Sequence, residues 1–155
     1  KVVYVFDISQ TEGDEIPALD VWKSPEFRPE LQNILIDYAE SLGLTVDYQD
    51  IGAAQGALSS ENKIYLNLTA GTKTLVHEIA HFLADHLESK KSHEQRELEA
   101  EATAYAVCRH FGFEDLKSPN YLYLTGLKAE DLKASLTTIS TLAQQIINQI
   151  TERIN

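Results

Sequence analysis

The sequence contains no methionine, a single cysteine and no long apolar stretch, and these absences exclude several classes of protein. With Cys108 alone, no disulfide can form within the chain, which is typical of proteins from reducing compartments. No apolar run reaches the roughly 18 to 20 residues that a membrane-spanning helix needs, and no segment resembles a signal peptide. We therefore expect a cytoplasmic protein that has no membrane partner.

Basic residues are also scarce, since 13 lysines and arginines stand against 24 aspartates and glutamates, a formal net charge of -11. A chain this acidic repels phosphate backbones, so we expect that this domain alone binds no nucleic acid. The 155 residues fit one domain with a sizeable core, spanning residues 1–155. Because the chain begins at Lys1 and has no methionine, we expect this domain to be a fragment of a longer protein.

The segment Thr72–Leu87 carries the motif H-E-x-x-H as His77, Glu78 and His81. Its other residues are largely apolar and favour a buried helix. Each helical residue turns by about 100°, so the two histidines share one face, where both imidazoles can reach one metal ion. Glu78 lies beside them, close enough to act on a water bound to that metal. Such a motif arises by chance in roughly one chain in a hundred, so two ordinary buried histidines are the competing interpretation.

A second predicted helix, Glu97–Cys108, offers the third ligand. Catalytic zinc takes three protein ligands and leaves one position for water, and two histidines with one glutamate are a known set. Glu97 and Glu101 share a helix face, so either carboxylate is a candidate. A solvated face is the usual explanation of such a glutamate run, but here the glutamates alternate with small alanines. The predicted apolar stripe of this helix consists of Leu98, Ala102, Tyr105 and Ala106.

These two segments together resemble the gluzincin pattern, because HEIAH is followed after a short interval by E-L-E-A-E. In gluzincins a glutamate ligand is followed four residues later by an acidic residue that supports a ligating histidine. The resemblance therefore implies that Glu97 is the third zinc ligand and that Glu101 holds a ligating histidine by its other ring nitrogen. The family more often has aspartate or asparagine at the position of Glu101.

A second resemblance covers the chain from about residue 4 to residue 107. VFDISQTEG, at residues 5–13, resembles the segment that opens the metallopeptidase domain of ArdC-family antirestriction proteins, and IYLNL with TLVHEIAH is similar to that family and the related ImmA/IrrE group. The resemblance implies a domain with one zinc ion that hydrolyses a peptide or protein substrate within an antirestriction or DNA-mobility protein. In that family a preceding N-terminal domain binds single-stranded DNA, so we expect any such binding to come from a part missing here.

The remaining patterns predict an α+β fold, zincin-like, with a small sheet packed against about four helices, one of which carries HEIAH. Alternating or β-branched segments predict strands at Lys1–Ile8, Leu44–Asp50 and Ile64–Leu68. In a zincin an edge strand beside the site can pair with an extended peptide. Gly52–Leu58 is the candidate for this strand, and an ordinary connecting strand explains it equally well.

Two further helices follow from apolar residues at helical spacing, one at Leu31–Leu42 and one at Ala129–Arg153. The second either closes the core or pairs with another chain. Its apolar stripe is predicted to be Leu132, Leu136, Ile139, Ala143, Ile146 and Ile150.

Three residues outside the motif also concern the site. On a regular helix His86 points away from the face of the motif histidines, so we expect that it is not a ligand. Tyr121 and Tyr123 lie in a predicted loop and are candidates to stabilise the oxyanion of a tetrahedral intermediate. Packing is the ordinary role of tyrosine and is the competing interpretation of both.

The favoured function is a zinc metallopeptidase of the HExxH…E type, in which zinc lowers the pKa of water to about 7 and Glu78 takes its proton. The first alternative is a catalytically inactive zincin fold that serves as a protein-binding module of an antirestriction or regulatory protein. A further alternative is a different metal (manganese, iron or cobalt) that only supports the fold. The intact Glu78 favours activity, but similarity in a metal site does not fix the reaction.

Overall fold

In the computed structural model of the protein, the described residues are 27–114, 116 and 129–154. Their elements, in chain order, are α1 (Pro29–Ser41), β1 (Thr45–Tyr48), β2 (Gly56–Ser59), β3 (Lys63–Leu66), α2 (Thr72–Leu83), α3 (His93–His110) and α4 (Ala129–Ile154). Four helices and one three-stranded mixed sheet in this part of the chain confirm the predicted α+β class. The predicted strand Lys1–Ile8, the segment 5–13, Tyr121 and Tyr123 lie outside the described residues.

Helix α1 forms because its apolar residues recur every three or four positions. It begins at Pro29, whose fixed φ and missing N–H suit the first turn of a helix. It ends before Gly43, which takes a φ of 82° and lets the Leu44 N–H donate to the Ala39 carbonyl at 3.0 Å. The side chains that α1 buries are Leu31, Gln32, Leu35, Tyr38 and Ala39.

The sheet has the order β1-β3-β2, with β3 between the other two strands. Strand β1 runs parallel to β3, and β2 runs antiparallel to it with Gly56 opposite Leu66. Ile64 and Leu66 of β3 are fully buried, whereas their neighbours along the strand are partly exposed, as alternation requires. The predicted candidate Gly52–Leu58 overlaps β2, which is an edge strand among the described residues.

Helices α2 and α3 lie side by side, and α3 also packs against α4. The apolar face of α2 is fully buried at Leu75, Val76, Ile79 and Ala80. The predicted stripe of α3 was wrong in detail, because Ala102, Tyr105 and Ala106 are only partly buried. Two neighbouring helices cover α3, so its buried surface is not a single stripe, and it includes Leu98, Ala100, Ala104, Val107 and Cys108.

Helix α4 closes the core with its C-terminal half. Ile146 and Ile150 are fully buried, and Ile139 and Ala143 nearly so. The predicted stripe was wrong at its N-terminal end, since Leu132 and Leu136 are 38% and 50% exposed. None of the helices in residues 27–114 and 129–154 has the length and apolar character needed to cross a membrane.

We predict that Ile146→Ala lowers the free energy of unfolding by about 2–5 kcal/mol, because it removes buried methyl groups and leaves a cavity between α4 and the core. Leu136→Ala, on the same helix but half exposed, is the matched control and is expected to cost less than about 1 kcal/mol. Urea unfolding of both variants measures this difference. Equal losses in the two variants would contradict the docking of α4 through its C-terminal half.

Candidate metal centre

Helix α2 places the two histidines of the H-E-x-x-H motif side by side. His77 and His81 are one helical turn apart, and their Nε2 atoms lie 2.9 Å from each other. The two rings meet edge to face with centroids 4.7 Å apart. Both side chains are mostly covered, at 17% and 13% exposed. Two ring nitrogens therefore share one small space beside α3.

Helix α3 brings Glu97 to the same space. Its Oε2 lies 3.5 Å from Nε2 of His77, and its Oε1 lies 3.3 Å from Nε2 of His81. One ligand atom from each of these three residues lies within 4.8 Å of the others. The structure thus brings together the three residues that the sequence and its gluzincin resemblance nominated as metal ligands.

The separations of these donor atoms fit a small tetrahedral ion. Zinc binds imidazole nitrogen and carboxylate oxygen at about 2.0–2.2 Å, so two donors at tetrahedral angles stand about 3.3–3.5 Å apart. The observed separations are 2.9 Å between the two histidines and 3.3 and 3.5 Å from them to Glu97. Shifts of a few tenths of an ångström are enough for all three donors to share one ion.

Glu101 lies one turn further along α3 and contacts the opposite side of the His77 ring. Its Oε2 lies 3.3 Å from His77 Nδ1, and its Oε1 accepts a hydrogen bond from the Lys73 ammonium. A carboxylate on the outer nitrogen of a ligating histidine fixes the ring and raises its basicity. Lys73 was not predicted, because a lysine four residues before a histidine is in itself an ordinary helix-surface pattern.

His86 contradicts the expectation that it points away from the motif histidines. It is 1% exposed, and its Nδ1 lies 2.9 Å from Nδ1 of His81. The predicted direction of His86 was wrong because it extended helical geometry beyond Leu83, where α2 ends. That His86 is not a metal ligand stays a prediction. Asp85 takes a φ of 53° and turns the chain back. His86 therefore contacts the outer nitrogen of His81 and not the Nε2 that faces Glu97.

Glu99 joins this second set of contacts, which the sequence analysis missed. Its Oε2 lies 3.0 Å from His86 Nε2, Lys91 Nζ donates to both of its oxygens at 2.7 Å, and Ser135 Oγ donates to Oε1 at 2.8 Å. Burial would raise the pKa of Glu99, but the hydrogen bonds from Lys91, His86 and Ser135 hold it below its usual value. Burial also lowers the pKa of His86, so a neutral imidazole faces an ionised carboxylate.

Glu78 is the remaining motif residue, and it packs against strand β2. Its side chain is 6% exposed, and a Cβ placed on Gly56 would lie 2.6 Å from its Oε1. The same Cβ would lie 2.7 Å from Cγ2 of Thr74. A side chain at position 56 would therefore force Glu78 or Thr74 to shift.

Burial alone would lower the pKa of His77, but its carboxylate neighbours outweigh this effect. Hydrogen bonds with Glu101 and Glu97 and the charge of Glu78 raise the pKa of His77 to about 9. A pKa of about 9 keeps His77 protonated at neutral pH. The three carboxylates around His77 thus favour a positive charge at this position.

The carboxylates of α3 show the complementary effect. Burial opposes ionisation of Glu97, but its hydrogen bonds with His77 and His81 outweigh it and bring the pKa far below the usual value. Glu101 likewise has its pKa lowered to about 2 in spite of burial, through His77 and Lys73. Both carboxylates are ionised at neutral pH, which is the state that metal ligation requires.

Comparisons with known proteins do not identify the chain. No protein-family model matches it, and no curated protein and no solved structure matches it significantly. The function must therefore be inferred from the geometry and chemistry of the site.

We predict that the stability of the metal-free protein falls as the pH rises from 6.5 to about 9. The pKa of His77 is raised above its unfolded value of 6.5, so its stabilising contribution is complete below pH 6.5 and is lost as pH rises through 9. Urea unfolding at several pH values with a chelator present measures this slope. His77→Gln should flatten it, whereas the exposed His110→Gln on α3 should leave it unchanged. An equal slope in all three proteins would contradict the assignment.

Proposed function

We propose that this domain is a zinc metallopeptidase in which His77, His81 and Glu97 bind the metal. One observation carries the proposal: both histidines direct Nε2 toward Glu97, while each Nδ1 is held by a separate partner. Metal-ligating histidines have this arrangement, with one nitrogen on the metal and the other in a hydrogen bond. The resemblance to gluzincins and to the ArdC family agrees with this ligand set.

Zinc held by these three residues supplies Lewis-acid chemistry, because it polarises a peptide carbonyl and lowers the pKa of water. Glu78 acts as the general base and then as the general acid in this proposal. Its carboxylate accepts a proton from the water that attacks the carbonyl carbon, and it returns that proton to the leaving nitrogen as the C–N bond breaks. Burial raises the pKa of Glu78 although His77 and His81 oppose this, which suits a group that must both accept and release a proton.

The proposed substrate is an extended peptide that lies along β2. Two observations support this: β2 is an edge strand among the described residues, and a Cβ placed on its Gly56 would lie only 2.6 Å from Oε1 of Glu78. An extended chain that pairs with such an edge gains backbone hydrogen bonds whatever its side chains are. The reacting peptide bond would then lie near the proposed base.

Metal content and peptidase activity test the proposal together. Wild type is expected to contain about one zinc per chain, Glu97→Ala to lose it, and Glu101→Ala to bind it about 10- to 100-fold more weakly. Glu78→Gln should retain zinc, since Glu78 is not a ligand, but lose cleavage of an unfolded protein substrate such as reduced casein. Elemental analysis and cleavage assays are the measurements.

Each result decides something about the proposal. Equal loss of zinc in Glu97→Ala and Glu101→Ala would contradict the assignment of Glu97 as the ligand and Glu101 as the residue that supports His77. A wild type that neither contains nor takes up metal would overturn the peptidase proposal, and the cluster would then be a buried ion-pair network. Zinc without cleavage, in wild type as in Glu78→Gln, would favour the inactive protein-binding module.

We predict that Gly56→Ala lowers the rate of cleavage by about 100-fold while zinc content is unchanged, because the added methyl group displaces the Glu78 carboxylate. The matched control is Ala129→Ser, which adds one atom at an exposed position of α4, away from β2. Steady-state kinetics and elemental analysis on both variants measure the effect. Full activity in Gly56→Ala would contradict the proposal that Glu78 acts from its position beside Gly56.

A further inference from the structure

The second histidine of the motif has an outer contact unlike that of the first. His77 Nδ1 meets a carboxylate directly, whereas His81 Nδ1 meets the imidazole of His86 at 2.9 Å. His86 Nε2 in turn lies 3.0 Å from Oε2 of Glu99. His86 and Glu99 are each 1% exposed, so water does not compete for these contacts.

We propose that His86 and Glu99 form a buried relay that fixes the tautomer and orientation of His81 so that its Nε2 can bind the metal. The proposal rests on the proposed function, since it assigns His81 as a ligand. Within it, His86 and Glu99 are positioning residues, because they act on the metal only through His81.

Hydrogen-bond polarity gives the relay one consistent direction. A neutral imidazole has one N–H, so a His81 that offers the Nε2 lone pair to a metal carries its proton on Nδ1. That N–H donates to Nδ1 of His86, which must then be an acceptor. His86 therefore carries its own proton on Nε2, and this N–H donates a hydrogen bond to the Glu99 carboxylate. Each donor meets an acceptor, and the anionic end of the relay favours this direction.

The far end of the relay is held by side chains from two other parts of the fold. Lys91, in the connection before α3, donates to both oxygens of Glu99, and Ser135 of α4 donates to Oε1. The carboxylate thus cannot turn without breaking three sets of contacts. Its orientation is set by the connection, α3 and α4 together.

The backbone of His86 is fixed as well. Its N–H donates to the His81 carbonyl at 3.0 Å, and its own carbonyl accepts from Nη1 of Arg96 at 2.7 Å. Residue 86 is therefore held at both its main chain and its ring. Such double fixing is what a residue needs in order to orient another side chain.

Nuclear magnetic resonance of ¹⁵N-labelled histidine tests the relay in the metal-free and the zinc-loaded protein. The wild type is expected to show His81 as the Nδ1–H tautomer, with a ¹⁵N–¹⁵N coupling to His86 across the hydrogen bond. His86→Phe should abolish this coupling and redistribute the His81 proton between the two nitrogens. His110→Phe, an exposed position on α3, is the matched control and should leave the His81 signals unchanged.

Zinc affinity, measured by competition with a chromogenic chelator, gives a second readout. His86→Phe is expected to weaken zinc binding about 10- to 100-fold, as the loss of outer partners of ligating histidines typically does. His86→Asn places an amide oxygen near the position of Nδ1, so it should restore most of the affinity. Thermal unfolding of the metal-free variants shows whether a loss reflects the general fold.

The outcomes separate this proposal from the proposed function. An Nε2–H tautomer of His81 in the wild type, or equal zinc affinity in wild type and His86→Phe, overturns the relay even when zinc binds. Equal loss of affinity in the phenylalanine and asparagine variants also overturns it, because the hydrogen bond would then not matter. A wild type that takes up no zinc overturns the proposed function, whatever the tautomer of His81.

Discussion

The burial of several ionisable groups between α2 and α3 is the constraint on which the rest of the structure depends. A buried charge is costly unless it is paired and hydrogen-bonded, so each member of this cluster needs a fixed partner. His77 is paired with Glu97 and Glu101, and Glu101 is paired with Lys73. Glu99 has three partners, which are His86, Lys91 and Ser135. The helices must therefore meet in one register, because any slip would leave a charge unpaired.

The proton of His77 and the proposed metal ion would meet the same electrostatic requirement in this cluster. Ionised Glu97 and Glu101 favour a positive charge beside His77, and in the metal-free site the proton of His77, with its pKa near 9, supplies it. A divalent ion supplies more charge in the same place and needs His77 to be neutral. In the proposed function, binding of the metal would therefore release the proton of His77, and either cation would balance the charge of these carboxylates.

The site residues whose mutual positions the sequence predicted well lie within regular helices. Helical periodicity alone places His77 beside His81 and Glu97 one turn from Glu101, and both pairs lie as expected. His86 was mispredicted because the helix ends three residues earlier, and periodicity does not show where a chain turns back. The order β1-β3-β2 depends on contacts between distant segments, which local patterns do not reveal.

Helix α4 shows most clearly what periodicity leaves out. Its apolar repeat predicts which side chains pack into the core, and Ile146 and Ile150 are indeed fully buried. The repeat does not predict that the polar Ser135 is buried as well. Ser135 is 1% exposed and donates to Glu99, which in turn contacts His86 behind the His81 ring. A serine on a distant helix thus belongs to the surroundings of the proposed site. One chain of contacts, from Ser135 through Glu99 and His86 to His81, therefore connects α4 with the proposed centre.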